Sequence, residues 1–233
     1  MKHFKLTNET IINESGIKLF RIELTIDCRW GKKGDKRGFV ETEENLSDNA
    51  MVFGNAQISG NARVFGNAMV SGNSEVFGDA MVFGNAEVFG NAEVSGNAEV
   101  FGNAMVSGNA EVFGDAMVFG NARLFGNAMV FGNAMVSGNA KVFDNAKVSG
   151  NARLYGDARL YGDALVSGNA KVYGDALVYG DALVSGDAKV FGNAKVFGNA
   201  QIFGDAMVFG DAMISGNARL YGDVMVFGNE VIE

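Results

Sequence analysis

Few side chains in this sequence combine reactive chemistry with a spacing that could form a catalytic site. General-base catalysis near neutral pH and zinc ligation both rely mainly on imidazole, and the only histidine is His3, close to the N-terminus. Cys28 is the only cysteine; as a nucleophile it would need a histidine to activate it, and we expect a half-buried thiol at a strand end. The residues therefore predict no catalytic, metal-binding or cofactor-binding site, and no cofactor.

Two groups of charged residues could bind ions. The basic loop Lys32–Arg37 could hold an anion, but the acidic segment Glu41–Glu44 follows it, so we expect the loop to pair with these glutamates. A set of aspartates shares one position of a repeat: Asp157, Asp163, Asp175, Asp181 and Asp187. They could hold a cation, but the longer glycine-rich phrase of calcium-binding repeats is absent. We expect these aspartates to balance the Lys and Arg residues around them.

The chain that positions these groups is almost entirely one repeated phrase. From Asp48 to Phe227 the six-residue pattern Gly-Asn/Asp-Ala-x-Val-Phe/Tyr/Ser occurs thirty times without an insertion or deletion. A strict short period means that each unit packs on a near-identical neighbour. The pattern therefore predicts a stacked solenoid.

Within each hexad, the alternation of a strand decides which side chains face inward. In the unit Gly84–Phe89, Ala86 and Val88 point one way, while Glu87 and Phe89 point the other way. The fourth position is often charged, and a charged side chain is almost never buried unpaired. Alanine and valine are therefore predicted to fill the axis, with Gly-Asn or Gly-Asp at each corner. Stacked asparagines are expected to add an amide ladder.

Internal duplications indicate how many hexads close one coil. The segment Phe65–Ala86 recurs 36 residues later as Phe101–Ala122 with one substitution, and Ser149, Ser167 and Ser185 recur every 18 residues. Eighteen divides both spacings. Three hexads per coil then give about ten coils, on the order of 48 Å long at one β-spacing per coil.

The predicted fold is all-β: a single-stranded parallel β-helix with three hexads per coil and a small β-rich N-terminal cap. The solenoid covers residues 48–233. Residues 1–47 lack the repeat, and their segment 17–27 alternates apolar and polar residues as a half-buried strand does. Because a solenoid exposes strand edges at its ends, this N-terminal segment is predicted to cover one of them.

One column of side chains is the strongest functional lead. At the 18-residue period, the sixth hexad position gives a column whose only non-aromatic member is Ser137; the others are Phe65, Phe83, Phe101, Phe119, Tyr155, Tyr173, Phe191, Phe209 and Phe227. Outward rings would form a long apolar strip, which buries against a partner or stacks on planar or sugar ligands. We predict a homo-oligomer formed laterally through this strip or end to end. A protein or glycan partner, and rings that stack only on each other, are the alternatives.

Charge also divides the solenoid into two halves. The fourth hexad position is acidic early in the tract, at Glu75, Glu87, Glu93, Glu99 and Glu111. It is basic later, at Arg123, Lys141, Lys147, Arg153, Arg159, Lys171, Lys189 and Lys195. Complementary potentials of this kind can set an antiparallel, side-by-side register between two copies.

Composition excludes several classes of protein. A net charge of −8 does not suit a nucleic-acid binder, which needs a basic surface. No segment approaches about 20 consecutive apolar residues, so no membrane span is expected. The N-terminal residues lack the apolar region of a signal peptide, and a single cysteine fits a reducing compartment. We expect a cytoplasmic protein, with a phage particle or non-classical release as alternatives.

The phrase resembles the hexapeptide repeat of left-handed parallel β-helix proteins, in which an aliphatic residue and a small residue four places on face inward, as Val88 and Ala92 would. The resemblance implies a left-handed winding. The segment from Arg29–Gly34 to Asn45–Ser47 is similar to phage- and prophage-associated solenoid proteins, often labelled acyltransferases on their repeats alone. Lys36–Phe39 departs from their usual Gly-Gly-Trp motif.

For the acyltransferases of the hexapeptide-repeat family, the resemblance implies a catalytic histidine on a coil face. The repeat tract of this chain contains no histidine. We therefore predict a non-enzymatic structural or interaction rod. The alternative is a trimeric acyltransferase that uses acetyl-CoA, which depends on fold analogy alone.

Overall fold

The structure is a computed structural model that describes residues 3–233; Met1 and Lys2 lie outside the described range. The N-terminal segment contains three longer strands, β1 (Phe4–Ile12), β2 (Lys18–Leu24) and β3 (Lys36–Val40), and a short 3-10 helix at Glu43–Asn45. Within residues 3–233, no helix has the length and apolar character needed to cross a membrane.

The rest of the chain is a regular series of two-residue strands, each made of the fourth and fifth residues of a hexad. In chain order they are β4 (Met51–Val52), β5 (Gln57–Ile58), β6 (Arg63–Val64), β7 (Met69–Val70), β8 (Glu75–Val76), β9 (Met81–Val82), β10 (Glu87–Val88), β11 (Glu93–Val94), β12 (Glu99–Val100), β13 (Met105–Val106), β14 (Glu111–Val112), β15 (Met117–Val118), β16 (Arg123–Leu124), β17 (Met129–Val130), β18 (Met135–Val136), β19 (Lys141–Val142), β20 (Lys147–Val148), β21 (Arg153–Leu154), β22 (Arg159–Leu160), β23 (Leu165–Val166), β24 (Lys171–Val172), β25 (Leu177–Val178), β26 (Leu183–Val184), β27 (Lys189–Val190), β28 (Lys195–Val196), β29 (Gln201–Ile202), β30 (Met207–Val208), β31 (Met213–Ile214), β32 (Arg219–Leu220), β33 (Met225–Val226) and β34 (Val231–Ile232).

Each solenoid strand pairs in parallel with the strand three places further along the chain, and this pairing builds three sheets along the solenoid. Sheet 1 contains β1–β3 and the strands from β5 to β32, sheet 2 the strands from β6 to β33, and sheet 3 the strands from β4 to β34. The register is 18 residues throughout; Glu87, for example, pairs with Met69 and with Met105. The predicted three-hexad coil of a parallel β-solenoid is confirmed. Its left-handed winding stays a prediction.

The axis is filled by the residues that the alternation predicts. From Ala50 to Leu220, the alanine, valine, leucine and isoleucine side chains at the third and fifth hexad positions are at most 6% exposed. Fourth-position residues such as Glu99 and Lys171 are half-buried or exposed on the outer faces. Burial of these apolar side chains in every coil is the main stabilising contribution to the rod.

Corners are held by glycine and by side-chain amides. Gly72 has a φ of +76°, a conformation that costs residues with a Cβ atom. Beside the corners, the Asn85 Nδ2 donates to Asn103 Oδ1 at 3.1 Å, and Asn103 Nδ2 donates to Asn121 Oδ1 at 3.0 Å. The expected amide ladder is present at these corners.

The N-terminal segment covers the first edge of sheet 1. Strands β1, β2 and β3 pair antiparallel, and β3 then pairs in parallel with β5. The 18-residue register already begins at Phe39, which pairs with Gln57, and Leu46 bridges to Val64. These pairings begin the solenoid before the repeat starts, and β34 completes its last coil, so the solenoid has about eleven coils instead of the expected ten. The predicted boundary between the N-terminal cap and the solenoid at residue 47 marks where the repeat begins in the sequence, and it stays a prediction.

Candidate functional site: an aromatic ladder on one edge of the solenoid

Stacked aromatic rings run along the edge between sheets 2 and 3. We call this column the aromatic ladder; it consists of Phe65, Phe83, Phe101, Phe119, Tyr155, Tyr173, Phe191, Phe209 and Phe227. In its first half, the ring centroids are 4.8, 4.8 and 4.9 Å apart, with interplanar angles of 1–5°. In its second half, the spacings are 4.9, 4.9, 5.0 and 5.6 Å. The structure therefore brings together all the predicted interface residues, in two stacks.

The stacking follows from the coil geometry. Backbone hydrogen bonds such as Phe101 N to Val118 O, at 3.0 Å, place equivalent residues one β-spacing apart, a separation that allows offset stacking of parallel rings. Inside each stack the ring faces are thus covered by neighbouring rings, while the outer edges of the rings remain half-exposed; Phe227, in the last coil, is 53% exposed. Burial, and then the neighbouring Tyr155, raises the pKa of the Tyr173 phenol. The ladder lies outside the core, with the rings stacked on each other.

A gap interrupts the ladder where Ser137 replaces a ring. Ser137 N donates to Leu154 O at 2.9 Å, so the serine lies in the coil between Phe119 and Tyr155. The gap is a cavity of about 220 Å³, lined by Phe119, Met135, Ser137, Arg153, Tyr155 and Lys171. The sequence identifies Ser137 as the exception in the column, but it does not show the two cations that stand beside it.

Charged side chains form ladders of their own on the outer faces. On sheet 1, Glu75, Glu93 and Glu111 occupy three consecutive coils; burial, and then the neighbouring carboxylates, raise the pKa values of Glu75 and Glu93. On sheet 2, Arg153 pairs in register with Lys171, and Lys171 with Lys189. Like charges are therefore stacked one coil apart on both faces.

The corner aspartates do not balance these cations as expected. Asp157 and Asp163 accept hydrogen bonds from Asn139 and Asn145 of the preceding coil, both at 2.9 Å. Asp187 likewise accepts a hydrogen bond from Asn169 at 2.9 Å. Within residues 3–233, the ion pairs all lie in the N-terminal segment. The expectation was wrong for these three aspartates because they join the amide ladder at the corner, whereas the basic side chains extend from the faces.

The basic loop of the N-terminal segment also pairs differently from the prediction. Lys32 Nζ lies 3.1 Å from Asp27, Lys36 Nζ lies 2.6 Å from Glu9, and Arg37 Nη2 lies 2.9 Å from Asp35. The expected pairing with Glu41–Glu44 was wrong for these three cations, because the antiparallel β1–β3 sheet brings earlier acidic residues beside them.

The single histidine and the single cysteine lie in the N-terminal segment beside the first coils. His3 Nε2 is 3.2 Å from the carbonyl oxygen of Ala50, and burial lowers the pKa of the imidazole. Cys28 is half-buried and forms a backbone bridge with Gly31. Both line a cavity of about 290 Å³ with Trp30, whose Nε1 donates to Asn49 O at 2.7 Å. His3 thus contacts the backbone of the solenoid.

Known proteins share the repeat. The YdcK β-solenoid repeat matches residues 56–72, 122–138, 158–174, 170–186 and 200–216. No curated protein sequence matches the chain. Solved structures that match include a UDP-N-acetylglucosamine acyltransferase from Arabidopsis, with 13% identity and a TM-score of 0.40; the alignment covers 72% of this chain and 65% of that protein. The YdcK repeat supports a β-helix family for this chain.

Proposed function

We propose that this protein is a non-enzymatic interaction rod that self-associates laterally through the aromatic ladder. The observation that carries the proposal is the ladder itself, in which aromatic side chains occupy nine of ten consecutive coils along one edge. The stacked rings are held by the coil register, so little side-chain entropy is lost when a partner covers them. A rigid, half-exposed apolar edge of this length favours burial against another protein surface.

The charges beside the ladder favour an antiparallel pair of rods. When two ladders overlap fully and run in opposite directions, the coil of Phe101 in one copy faces the coil of Phe191 in the other. On sheet 2 this places Glu99 opposite Lys189 of a second copy, and Met117 opposite its Lys171. A parallel two-fold pair would place sheet 2 of one copy against sheet 3 of the other, with Arg153 opposite Arg159 and Lys189 opposite Lys195 of the second copy. Repulsion between like charges across an interface costs association free energy. The antiparallel pair has one such contact, Lys141 opposite Arg159 on sheet 3, against two in the parallel pair, so the antiparallel two-fold arrangement is preferred.

His3 favours a structural role over general-base catalysis. The carbonyl oxygen of Ala50 already engages its Nε2 atom, which joins the N-terminal segment to the first coil. Incubation of the pure protein with acetyl-CoA and common amine or hydroxyl acceptors tests the enzymatic alternative. Turnover by the wild-type protein would contradict the proposal, and its loss on replacement of His3 would assign catalysis to that residue.

Sedimentation velocity over a range of concentrations tests self-association directly. We expect a dimer, and the triple variant Phe101→Ser, Phe119→Ser and Tyr155→Ser should be shifted towards monomer. A wild-type protein that remains monomeric at the highest concentration would contradict the proposal.

Charge exchange tests the antiparallel register. Glu99→Lys or Lys189→Glu alone creates a like-charge contact, and each should raise the dimer dissociation constant about tenfold or more, equivalent to roughly 1.4 kcal/mol. The double variant restores opposite charges and should recover most of the affinity. Glu93→Lys on sheet 1 is the matched control and should have little effect. A double variant that is weaker than either single variant would exclude this register.

A further inference from the structure

We propose that the gap at Ser137 is a binding slot for a flat aromatic ring that carries an anionic group. The rings on either side belong to regular stacks, Phe101–Phe119 and Tyr155–Tyr173, each with a centroid spacing of 4.9 Å and an interplanar angle of 1°. Phe119 and Tyr155 are two coils apart, a separation of roughly 10 Å at the β-spacing. One ring of the ladder is missing between them, so one planar ring fits at the spacing of the stack.

The walls of the slot suit an aromatic ligand. Phe119 and Tyr155 each have one face covered by a neighbour in the ladder, and the other face turned towards the gap. A ring in the slot would stack on both, and stacking between aromatic faces is favourable for many ring types. The cavity of about 220 Å³ is smaller than the pockets of drug-sized ligands. Its size therefore selects one or two fused rings.

The charge beside the slot selects an anion. Arg153 and Lys171 line the cavity, and within residues 3–233 neither has a carboxylate within ion-pair distance. The nearest corner aspartate in the sequence, Asp157, accepts a hydrogen bond from Asn139 at 2.9 Å. An anionic substituent on the ring would therefore meet two uncompensated cations. Arginine and lysine both bind carboxylates and phosphates in this way.

Another serine gap shows that the slot is not a general property of the repeat. Ser95 replaces a ring between Phe77 and Phe113 in a different column, but it is buried, with 8% exposure. Its Oγ lies 3.5 Å from Glu93 Oε1, so its surroundings are acidic. Ser137, in contrast, is half-exposed and lies beside two cations. Only the gap at Ser137, of these two, is both open and basic.

Titration with 2-naphthoate, followed by its fluorescence, tests the proposal. Wild-type protein should bind with a dissociation constant on the order of 1 mM or below. Ser137→Phe completes the ladder and fills the slot, so it should weaken binding at least tenfold. Ser95→Phe makes the same substitution at the buried, acidic gap and should leave the affinity unchanged. Far-UV circular dichroism checks that both variants keep the wild-type fold.

A cationic probe and a charge variant test the role of Arg153 and Lys171. 2-Naphthylmethylammonium should bind at least tenfold more weakly than 2-naphthoate, and Arg153→Gln with Lys171→Gln should remove this preference. Equal affinity for the two probes, unchanged binding by Ser137→Phe, or no binding to the wild type would each overturn the proposal. The double glutamine variant keeps the test decisive if Ser137→Phe does not fold.

This inference does not rest on the proposed self-association. At protein concentrations below those at which sedimentation detects dimers, the titration measures the slot of a single chain. A monomeric protein that binds 2-naphthoate would contradict the proposed function alone, and a dimer without affinity for 2-naphthoate would contradict the slot alone.

Discussion

Replacing corner glycines in two adjacent coils with alanine separates backbone strain from contact between coils. Gly54 and Gly72 lie in the same column and have φ values of +62° and +76°. A Cβ at Gly54 would lie 3.2 Å from the carbonyl oxygen of Gly72, whereas a Cβ at Gly72 would lie 2.6 Å from the carbonyl oxygen of Gly90. The two substitutions thus share the left-handed conformation and differ in steric overlap.

The expected magnitudes follow from these distances. Left-handed strain should cost each alanine variant about 1–2 kcal/mol. Gly72→Ala should lose a further 1–3 kcal/mol or so, since the overlapping atom belongs to the backbone of the next coil and cannot rotate away. Urea unfolding followed by circular dichroism should therefore give a clearly lower midpoint for Gly72→Ala than for Gly54→Ala. Equal midpoints, or a lower one for Gly54→Ala, would refute the inter-coil contact.

The corner at Asp144 provides the reverse experiment. This residue takes the place of a repeat glycine at a φ of 61°, and its Oδ2 accepts a hydrogen bond from Gly162 N at 3.3 Å. Asp144→Gly relieves the strain and loses a long hydrogen bond, so the unfolding free energy should stay equal or rise by up to about 1 kcal/mol. A large loss of stability would contradict the strain argument.

Two other predictions concern the core and the acidic face. Leu154→Ala should lower the free energy of unfolding in urea by about 2–5 kcal/mol, because Leu154 is fully buried in the axis. Leu165→Ala, on the outer face, should lower it by about 1 kcal/mol or less. Equal losses of stability would contradict the assignment of Leu154 to the core. Burial, and then Glu111, raises the pKa of Glu93 above its ordinary value of 4.5, so ionised Glu93 destabilises the folded state. Glu93→Gln should stabilise the protein at pH 7, and this advantage should decline as the pH falls through the raised pKa and vanish below about pH 4.5; an advantage that persists there would refute the linkage.

The strongly patterned parts of the chain could be predicted from the sequence. The 18-residue recurrence of Ser149, Ser167 and Ser185 predicts the number of residues in one coil, since a solenoid places equivalent residues above one another. The charged residues at the fourth hexad position show which side chains of each strand face outward, because unpaired charges are not buried. Together these two observations are enough to place the nine residues of the aromatic ladder in one outward column.

The parts without the repeat could not be predicted in this way. Phe39 and Leu46 join the first coil although they lack the phrase, because backbone pairing and burial do not require a glycine corner there. The partners of Lys32 and Lys36 depend on which strands of the N-terminal segment pair, which no local pattern specifies. Similarly, the slot at Ser137 depends on side chains from neighbouring coils.

Disulfide cross-linking at the corners measures the period on which every face and column depends. In a Cys28→Ser background, Asn103→Cys with Asn121→Cys places thiols at positions whose native amides are hydrogen-bonded at 3.0 Å. Their Cα atoms are expected about 4.8 Å apart, within the range of a disulfide. Asn103→Cys with Asp115→Cys puts the second thiol at another corner. Mild oxidation should cross-link the first pair within one chain and leave the second pair free; preferential cross-linking of the second pair would show that eighteen residues do not close the coil.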